Sequence, residues 1–437
     1  MARGGGLADH DALTHTVAGQ PFVHATWLAS AALYRVFALG GYPLLQMLLA
    51  LSTTATLLLI AASAHRASRG NPSAMAAATI LGAWLLLQNL GMRPQLFALP
   101  LFAFAALLLL TVRPGRGVLA GAATVTACLA NLHGAFVLVP ILAGALAMGA
   151  AWERERRDAA WLSATALACA LATLATPYGF HLYGYVHDNM AVSMDRSLEE
   201  WRPTWRVAGA SLRLVSSVAI VAVVAWRRRA LPPRRWLPAL AAFLALAISG
   251  ERYVVWMAML LPAALAHALP LREEDPPRRL APGYAFALVL FFVPQLAILS
   301  PWWRTRALDA HDAVAAQFEP GDGVMLAEWA AAHGAGGRLF NPMEWGGWLE
   351  WRLDAKAFVD VRVWIYPDPV WSDFRSASAA TPGWEETLDR YAVETAFLDR
   401  RFDRALLAAM AKSERWEKLY EDADGAIYRR RRALPSP

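Results

Sequence analysis

Two cysteines in 437 residues leave little scope for thiol chemistry. Cys128 and Cys169 each lie in an apolar run. A disulfide scaffold is therefore excluded, and so is a zinc or iron–sulfur ligand cluster. Charge is the second shortage. Only 17% of residues are Asp, Glu, Lys or Arg and 57% are hydrophobic, against about 25% and about 45–50% in soluble domains. Such a chain is not disordered, and its glycines follow no collagen-like period. Also absent are a Walker loop, a Rossmann glycine fingerprint, HExxH and GxSxG, so the usual soluble-enzyme motifs do not apply.

What charge there is lies unevenly. Residues 1–300 hold 23 basic and 13 acidic groups, about 12% of that stretch. Residues 301–437 hold 18 and 22, about 29%. The pattern predicts a membrane region followed by a soluble domain. The pI near 9.5 then carries no argument for nucleic acid as a partner, because basic excess in membrane loops is a topology signal.

A helix needs about 20 apolar residues to cross a bilayer. Spans are expected at 41–62, 74–91, 95–112, 118–133, 134–151, 159–176, 212–226, 236–250, 253–269 and 281–300. The uncharged stretch 118–151 reads as two spans joined by a turn at Asn131-Leu132-His133-Gly134. One set of connections carries 15 arginines, among them Arg66, Arg113, Arg157, Arg229 and Arg279. The opposite set, over much more chain, carries seven: Arg3, Arg35, Arg93, Arg196, Arg202, Arg206 and Arg252. The positive-inside rule places the first set in the cytoplasm and both termini outside. The expected organisation is thus an extracytoplasmic segment 1–40 with an interfacial helix over 27–39, a bundle of about ten spans over 41–302, and an extracytoplasmic α/β domain over 303–437. Residues 1–40 contain no apolar signal-peptide core, which leads to the expectation of a further membrane helix ahead of Met1.

Polar clusters fall at outside helix ends: Arg93-Pro94-Gln95, Asn131-Leu132-His133-Gly134, Pro177-Tyr178-Gly179, Glu200-Trp201 and Glu251-Arg252-Tyr253. Ionisable groups near membrane depth are costly, so five clusters on one face point to a shared cavity. Helix capping or headgroup contact is the plainer account of each one alone.

These clusters, in order with Thr14-His15-Thr16, Gly19-Gln20-Pro21, His24-Ala25-Thr26-Trp27, Asn341-Pro342-Met343-Glu344-Trp345-Gly346-Gly347-Trp348 and Phe358-Val359-Asp360-Val361-Arg362, resemble bacterial polytopic proteins of the GT-C glycosyltransferase superfamily. The nearest resemblance is to mannosyltransferase-like members with a C-terminal extracytoplasmic domain. It implies a bacterial inner-membrane enzyme that moves a sugar, with inversion, from a polyprenyl-phosphate lipid to a cell-envelope acceptor on the outer face. In such proteins an acidic residue near a Trp-Trp-His-like stretch follows a first membrane helix. This chain starts beyond that point, and it has Ala25-Thr26 where relatives tend to carry Glu.

The chemistry assigns the roles. Attack on an anomeric carbon needs a carboxylate to take the acceptor's proton, and Glu200 and Asp11 are the outside carboxylates at motif positions. The leaving phosphate needs fixed donors, for which Arg93, Arg252 and His133 are placed. Gln95, Asn131, Tyr178, Trp201 and His24 are expected to line the substrate pocket. The sequence shows no metal-ligand set and implies no cofactor, and a need for divalent metal stays open. The alternative is a non-enzymatic scaffold or transport component of envelope polysaccharide assembly.

In the C-terminal region, helices are expected at 307–318, 324–333, 344–352, 367–377, 383–391 and 402–413. Strands are expected at 337–341, 356–361, 394–399 and 416–429. Asp360 and Arg362 lie two apart at a strand end, so they share a face and read as a salt bridge.

Overall fold

The computed structural model describes residues 7, 9–87, 91–196, 198–271 and 321–431. The expected span 281–300, the helix 307–318 and Arg272, Arg278 and Arg279 lie outside the described residues. The described residues fall into two compact units, one within Ala25–Arg304 and one within Arg3–His24 together with Thr305–Pro437.

The first unit is helical. It comprises α1 (Trp27–Ala67), α2 (Pro72–Leu86), α3 (Gln95–Thr111), α4 (Arg116–Leu132), α5 (Leu138–Trp152), α6 (Arg156–Ala172), α7 (His181–Asp195), α8 (Ala208–Arg228), α9 (Leu237–Ser249) and α10 (Leu261–His267). α1 breaks at Gly40 and Gly41, where Gly41 has φ +61° and ψ −155°, a conformation open essentially to glycine alone. Pro43 follows and starts the stretch Pro43–Ala67.

Among the described residues, three helical stretches are long and apolar enough to cross a membrane: Pro43–Ala67, Gly134–Trp152 and Ala208–Arg228. α2, α3 and α4 are apolar but only 15 to 17 residues long. The structure therefore does not establish ten spans. The expected span 253–269 is the clearest correction. Residues Glu251–Met259 form a 3₁₀ helix, and only Leu261–His267 are α-helical. Pro262 lacks an N–H and suits only the first turn of a new helix. The polar Glu251-Arg252 pair opens the tighter segment. The turn expected inside 118–151 is present, because α4 ends at Leu132 and a 3₁₀ turn over Gly134–Val137 leads into α5. Conversely, residues 177–211, left between two expected spans, contain α7.

Small residues set the helix packing, as expected where lipid is as apolar as the side chains. Ala98, Ala105, Ala122, Ala143 and Ala150 are fully buried. A side chain on Gly149 would meet the Arg235 carbonyl at 2.2 Å, so the α5 end and the 234–236 turn touch through backbone. Arg235 also lies 4.0 Å from Asp158, which joins two of the arginine-rich connections at one end of the bundle.

The second unit has a four-stranded mixed sheet. Its strands are β1 (Leu339–Phe340), β2 (Thr395–Asp399), β3 (Trp416–Glu421) and β4 (Gly425–Arg430), in the order β1-β2-β4-β3. β1 and β2 are parallel and the other pairs antiparallel. All five residues of β2 are buried, as befits a central strand covered on both faces. Around the sheet pack α11 (Val324–His333), α12 (Gly346–Leu353), α13 (Asp368–Ser378), α14 (Trp384–Arg390) and α15 (Arg404–Met410). The strand expected over 416–429 is a hairpin that turns at 422–424. Residues 356–361 are not a strand. Their pairing is confined to isolated bridges, Arg338 with Lys356 and Thr14 with Ala357.

That last bridge shows where the start of the chain lies. Ala357 N–H donates to the Leu13 carbonyl at 3.3 Å, and His15 N–H donates to the Ala357 carbonyl at 3.1 Å. Thr16 Oγ1 donates to the Phe358 carbonyl at 2.6 Å. Residues 9–24 are therefore part of the sheet-bearing unit, and the helix beginning at Trp27 starts the other.

Candidate functional site

Three of the ionisable residues expected at one site, Arg93, Glu200 and Arg252, meet in the helical unit. Arg93 precedes α3, Glu200 sits in a 3₁₀ turn (Glu199–Trp201) after α7, and Arg252 lies in the 3₁₀ segment after α9. Arg93 Nη1 is 3.1 Å from Glu200 Oε2, and Arg252 Nη1 is 3.2 Å from Glu200 Oε1. One carboxylate thus joins two guanidiniums, one on each oxygen, leaving net charge +1. The Arg252 guanidinium carbon lies 4.2 Å from the centroid of the Trp201 ring, a cation–π contact that fixes its plane. Tyr253 stands edge-on to Trp201 at 6.2 Å. Glu251 N–H donates to the Arg202 carbonyl at 3.0 Å, so backbone holds the two short segments together and the side chains need not be placed by ion pairing alone.

The broken geometry after α9 is what allows this. A continuous helix from 253 would satisfy its own backbone. The 3₁₀ segment instead offers a polar turn to its neighbours while Val254, Val255, Trp256, Met257, Ala258 and Met259 are buried.

His133 stands beside Trp256 with ring centroids 6.1 Å apart, and the charge of Arg252 acts on it. Its Nδ1 accepts from the Ala135 N–H at 3.0 Å, so Nε2 carries the proton in the neutral ring. Asn131 receives the Trp27 indole N–H at 3.0 Å and donates to the Ala175 carbonyl at 2.7 Å, acting as a tie between α1, α4 and the end of α6. Gln95 is the half-buried first residue of α3, and Tyr178 is half-buried in the turn before α7.

Asp11 and His24 belong to the sheet-bearing unit. Asp11 is buried, accepts from Thr14 N–H at 3.1 Å and Thr14 Oγ1 at 2.7 Å, and lies 2.7 Å from Arg362 Nη2. The Asp360–Arg362 salt bridge is formed, with Arg362 Nε donating to Asp360 Oδ2 at 2.7 Å. Tyr366 donates to Asp360 Oδ1 at 3.0 Å, and Arg362 packs over the Phe22 ring. Burial and the charge of Arg362 hold the His24 imidazole below its ordinary range.

Glu350 is the residue the sequence reading missed. It lies in α12 at 8% exposure, and its Oε1 has no hydrogen-bond partner among the described residues. Burial first, then the charges of Asp360 and Asp11, push its carboxyl up to about 9 against the pull of Arg362. Nothing in a lone Glu within Gly-Trp-Leu-Glu-Trp signals this, because the neighbouring charges come from segments far away in sequence. Glu350 is therefore neutral at pH 7 in the folded protein and ionised in the unfolded chain. Between about pH 4.5 and 9 the folded state holds the extra proton, so stability falls as pH rises. Glu350→Gln is expected to raise stability at pH 7.5 by on the order of 2 kcal/mol and to flatten the decline. Thermal unfolding from pH 5 to 9 measures both, and an unchanged slope refutes the assignment.

Among the described residues, no three His, Cys, Asp or Glu side chains group as a metal site.

The fold combines a helical bundle containing a broken helix with a small mixed α/β unit. In structure the chain is similar to the oligosaccharyltransferase of Archaeoglobus fulgidus. The form tethered with an acceptor peptide through a disulfide bond aligns at TM-score 0.56 and 12% identity, over 97% of this chain and 68% of that one. The apo form aligns at TM-score 0.53, with the same identity and coverage. The complex with zinc and sulfate aligns at TM-score 0.51 and 11% identity, over 97% and 66%. At such identity the likeness is one of fold. No family model matches the sequence, and no curated protein matches it.

Proposed function

We propose that this protein is a membrane glycosyltransferase that takes a sugar from a polyprenyl-phosphate donor and passes it to a cell-envelope acceptor on the extracytoplasmic face. The carrying observation is the Arg93–Glu200–Arg252 cluster. Two guanidiniums already share an oxyanion there, and guanidinium forks match phosphate oxygens as they match carboxylate. Donor phosphate displaces the Glu200 carboxylate from the arginines. The freed carboxylate then takes the acceptor hydroxyl's proton as the new glycosidic bond forms at the anomeric carbon and the carbon–oxygen bond to phosphate breaks. The two arginines and the His133 Nε2–H stabilise the charge that develops on the leaving phosphate.

The orientation follows from the arginine asymmetry, with the sheet-bearing domain and the Arg93, Glu200 and Arg252 turns outside. A reporter joined after residue 431 is expected to be active only on the periplasmic side; cytoplasmic activity overturns this topology. The function is tested by incubating the protein in bilayers with labelled polyprenyl-phosphate sugars and envelope extract. Transfer of label supports the reading. Binding of donor without transfer to any acceptor supports the scaffold alternative, and failure to bind donor overturns both.

A further inference from the structure

Far in sequence from these arginines, the sheet-bearing unit has a cleft of about 410 Å³ between α11, α12 and β3, lined by Met325, Glu328, Trp329, His333, Arg352 and Tyr420. Such a volume lies within the range of ligand pockets, about 300–1,000 Å³. Trp329 and His333 are four apart on α11 and so share a face. Their rings are nearly parallel, with centroids 4.1 Å apart, and Tyr420 from β3 lies near-parallel to Trp329 at 5.0 Å. His333 Nδ1 bonds the Trp329 carbonyl at 2.8 Å, which holds the exposed imidazole in this stack. At the cleft's edge Arg352 Nε and Nη2 donate to the two Glu328 oxygens at 2.7 and 2.8 Å. This planar fork remains partly open to water, at 37% and 26% side-chain exposure.

We propose that this cleft binds a neutral glycan chain, one pyranose ring lying against the aromatic stack and its hydroxyls bonding to the Glu328–Arg352 fork. Each wall favours that ligand over others. Aromatic faces carry negative quadrupole charge and attract the polarised C–H groups on one side of a sugar ring. The fork is charge-balanced, so it offers donors and acceptors together without drawing in an anion. An apolar helix or lipid chain over the cleft would strip water from a half-exposed ion pair and return no hydrogen bonds, a costly exchange. Hydroxyl groups replace that water in kind. The site goes beyond the transfer reading, because glycan binding here requires no donor and no turnover.

Saturation-transfer NMR on the full-length protein in detergent micelles, with mannotetraose, cellotetraose and maltotetraose as probes, tests the proposal. At least one probe is expected to bind saturably. His333→Ala and Glu328→Gln should each weaken that binding at least tenfold. His333 is exposed, so its substitution leaves the fold intact and decides the matter if Glu328→Gln lowers stability. Arg252→Ala, which disables the donor site, should leave glycan binding unchanged, so that failure of either site is read separately. Binding of none of the three probes overturns the proposal, as does equal binding by the His333→Ala protein.

Discussion

Arg252→Ala is expected to weaken binding of a polyprenyl-phosphate donor by roughly 30- to 150-fold, the value of one charge-assisted hydrogen-bonding group of about 2–3 kcal/mol. Arg252 is the better held of the two arginines. It is 27% exposed, against 68% for Arg93, and its guanidinium lies on Trp201. A guanidinium fixed before the ligand arrives loses little freedom on binding, whereas Arg93 is screened by water and must be ordered. Arg93→Ala is therefore expected to cost only a few-fold. Glu200→Gln separates the two roles of that carboxylate. With its charge gone both arginines are released to the phosphate, so donor affinity holds or rises, while transfer falls because no base remains. Donor titration and single-turnover transfer on the three variants check these outcomes. Equal affinity of wild type and Arg252→Ala rules out the arginine pair as the phosphate site.

The second large effect is on folding. Arg362→Ala should destabilise the sheet-bearing unit by about 3–5 kcal/mol, the usual cost of leaving a buried ion-pair partner uncompensated. The side chains of Asp11 and Asp360 are 0% and 4% exposed, and Arg362 serves both. Arg362→Lys should not restore stability, because an ammonium cannot reproduce the fork from Nε and Nη2. Since Asp11 ties the start of the chain to this unit, the same variant is expected to open residues 9–24 to protease. Thermal unfolding and limited proteolysis measure the two consequences. An unchanged midpoint with residues 9–24 still protected refutes the role of Arg362.

The cluster also shows how far local reasoning reaches. Asp360 and Arg362 are only two residues apart, so their pairing was legible in the chain even though the segment forms no strand. Asp11 is separated from them by nearly the whole sequence. At sequence level it was simply an outside carboxylate near a Thr-His-Thr motif, equally available to Glu200. Tertiary structure assigned it to Arg362, and His24 went with it. Glu350 owes its weakened acidity to burial and to the same convergence of charges.

The sequence by itself determined the division into an apolar and a charged region, the positions of most helices, the turn at His133 and the candidate membership of Arg93, Glu200 and Arg252. These follow from hydropathy, from the cost of charge near lipid and from local turn chemistry, all of which act over a few residues. Only the tertiary structure decided that 251–259 is a 3₁₀ segment, that residues 9–24 belong with the sheet, and that one carboxylate bridges two arginines 159 positions apart along the chain. The reason is physical: a break in a helix, a buried charge or a shared ion is stable only with partners. Those partners come from chain segments that local periodicity does not place.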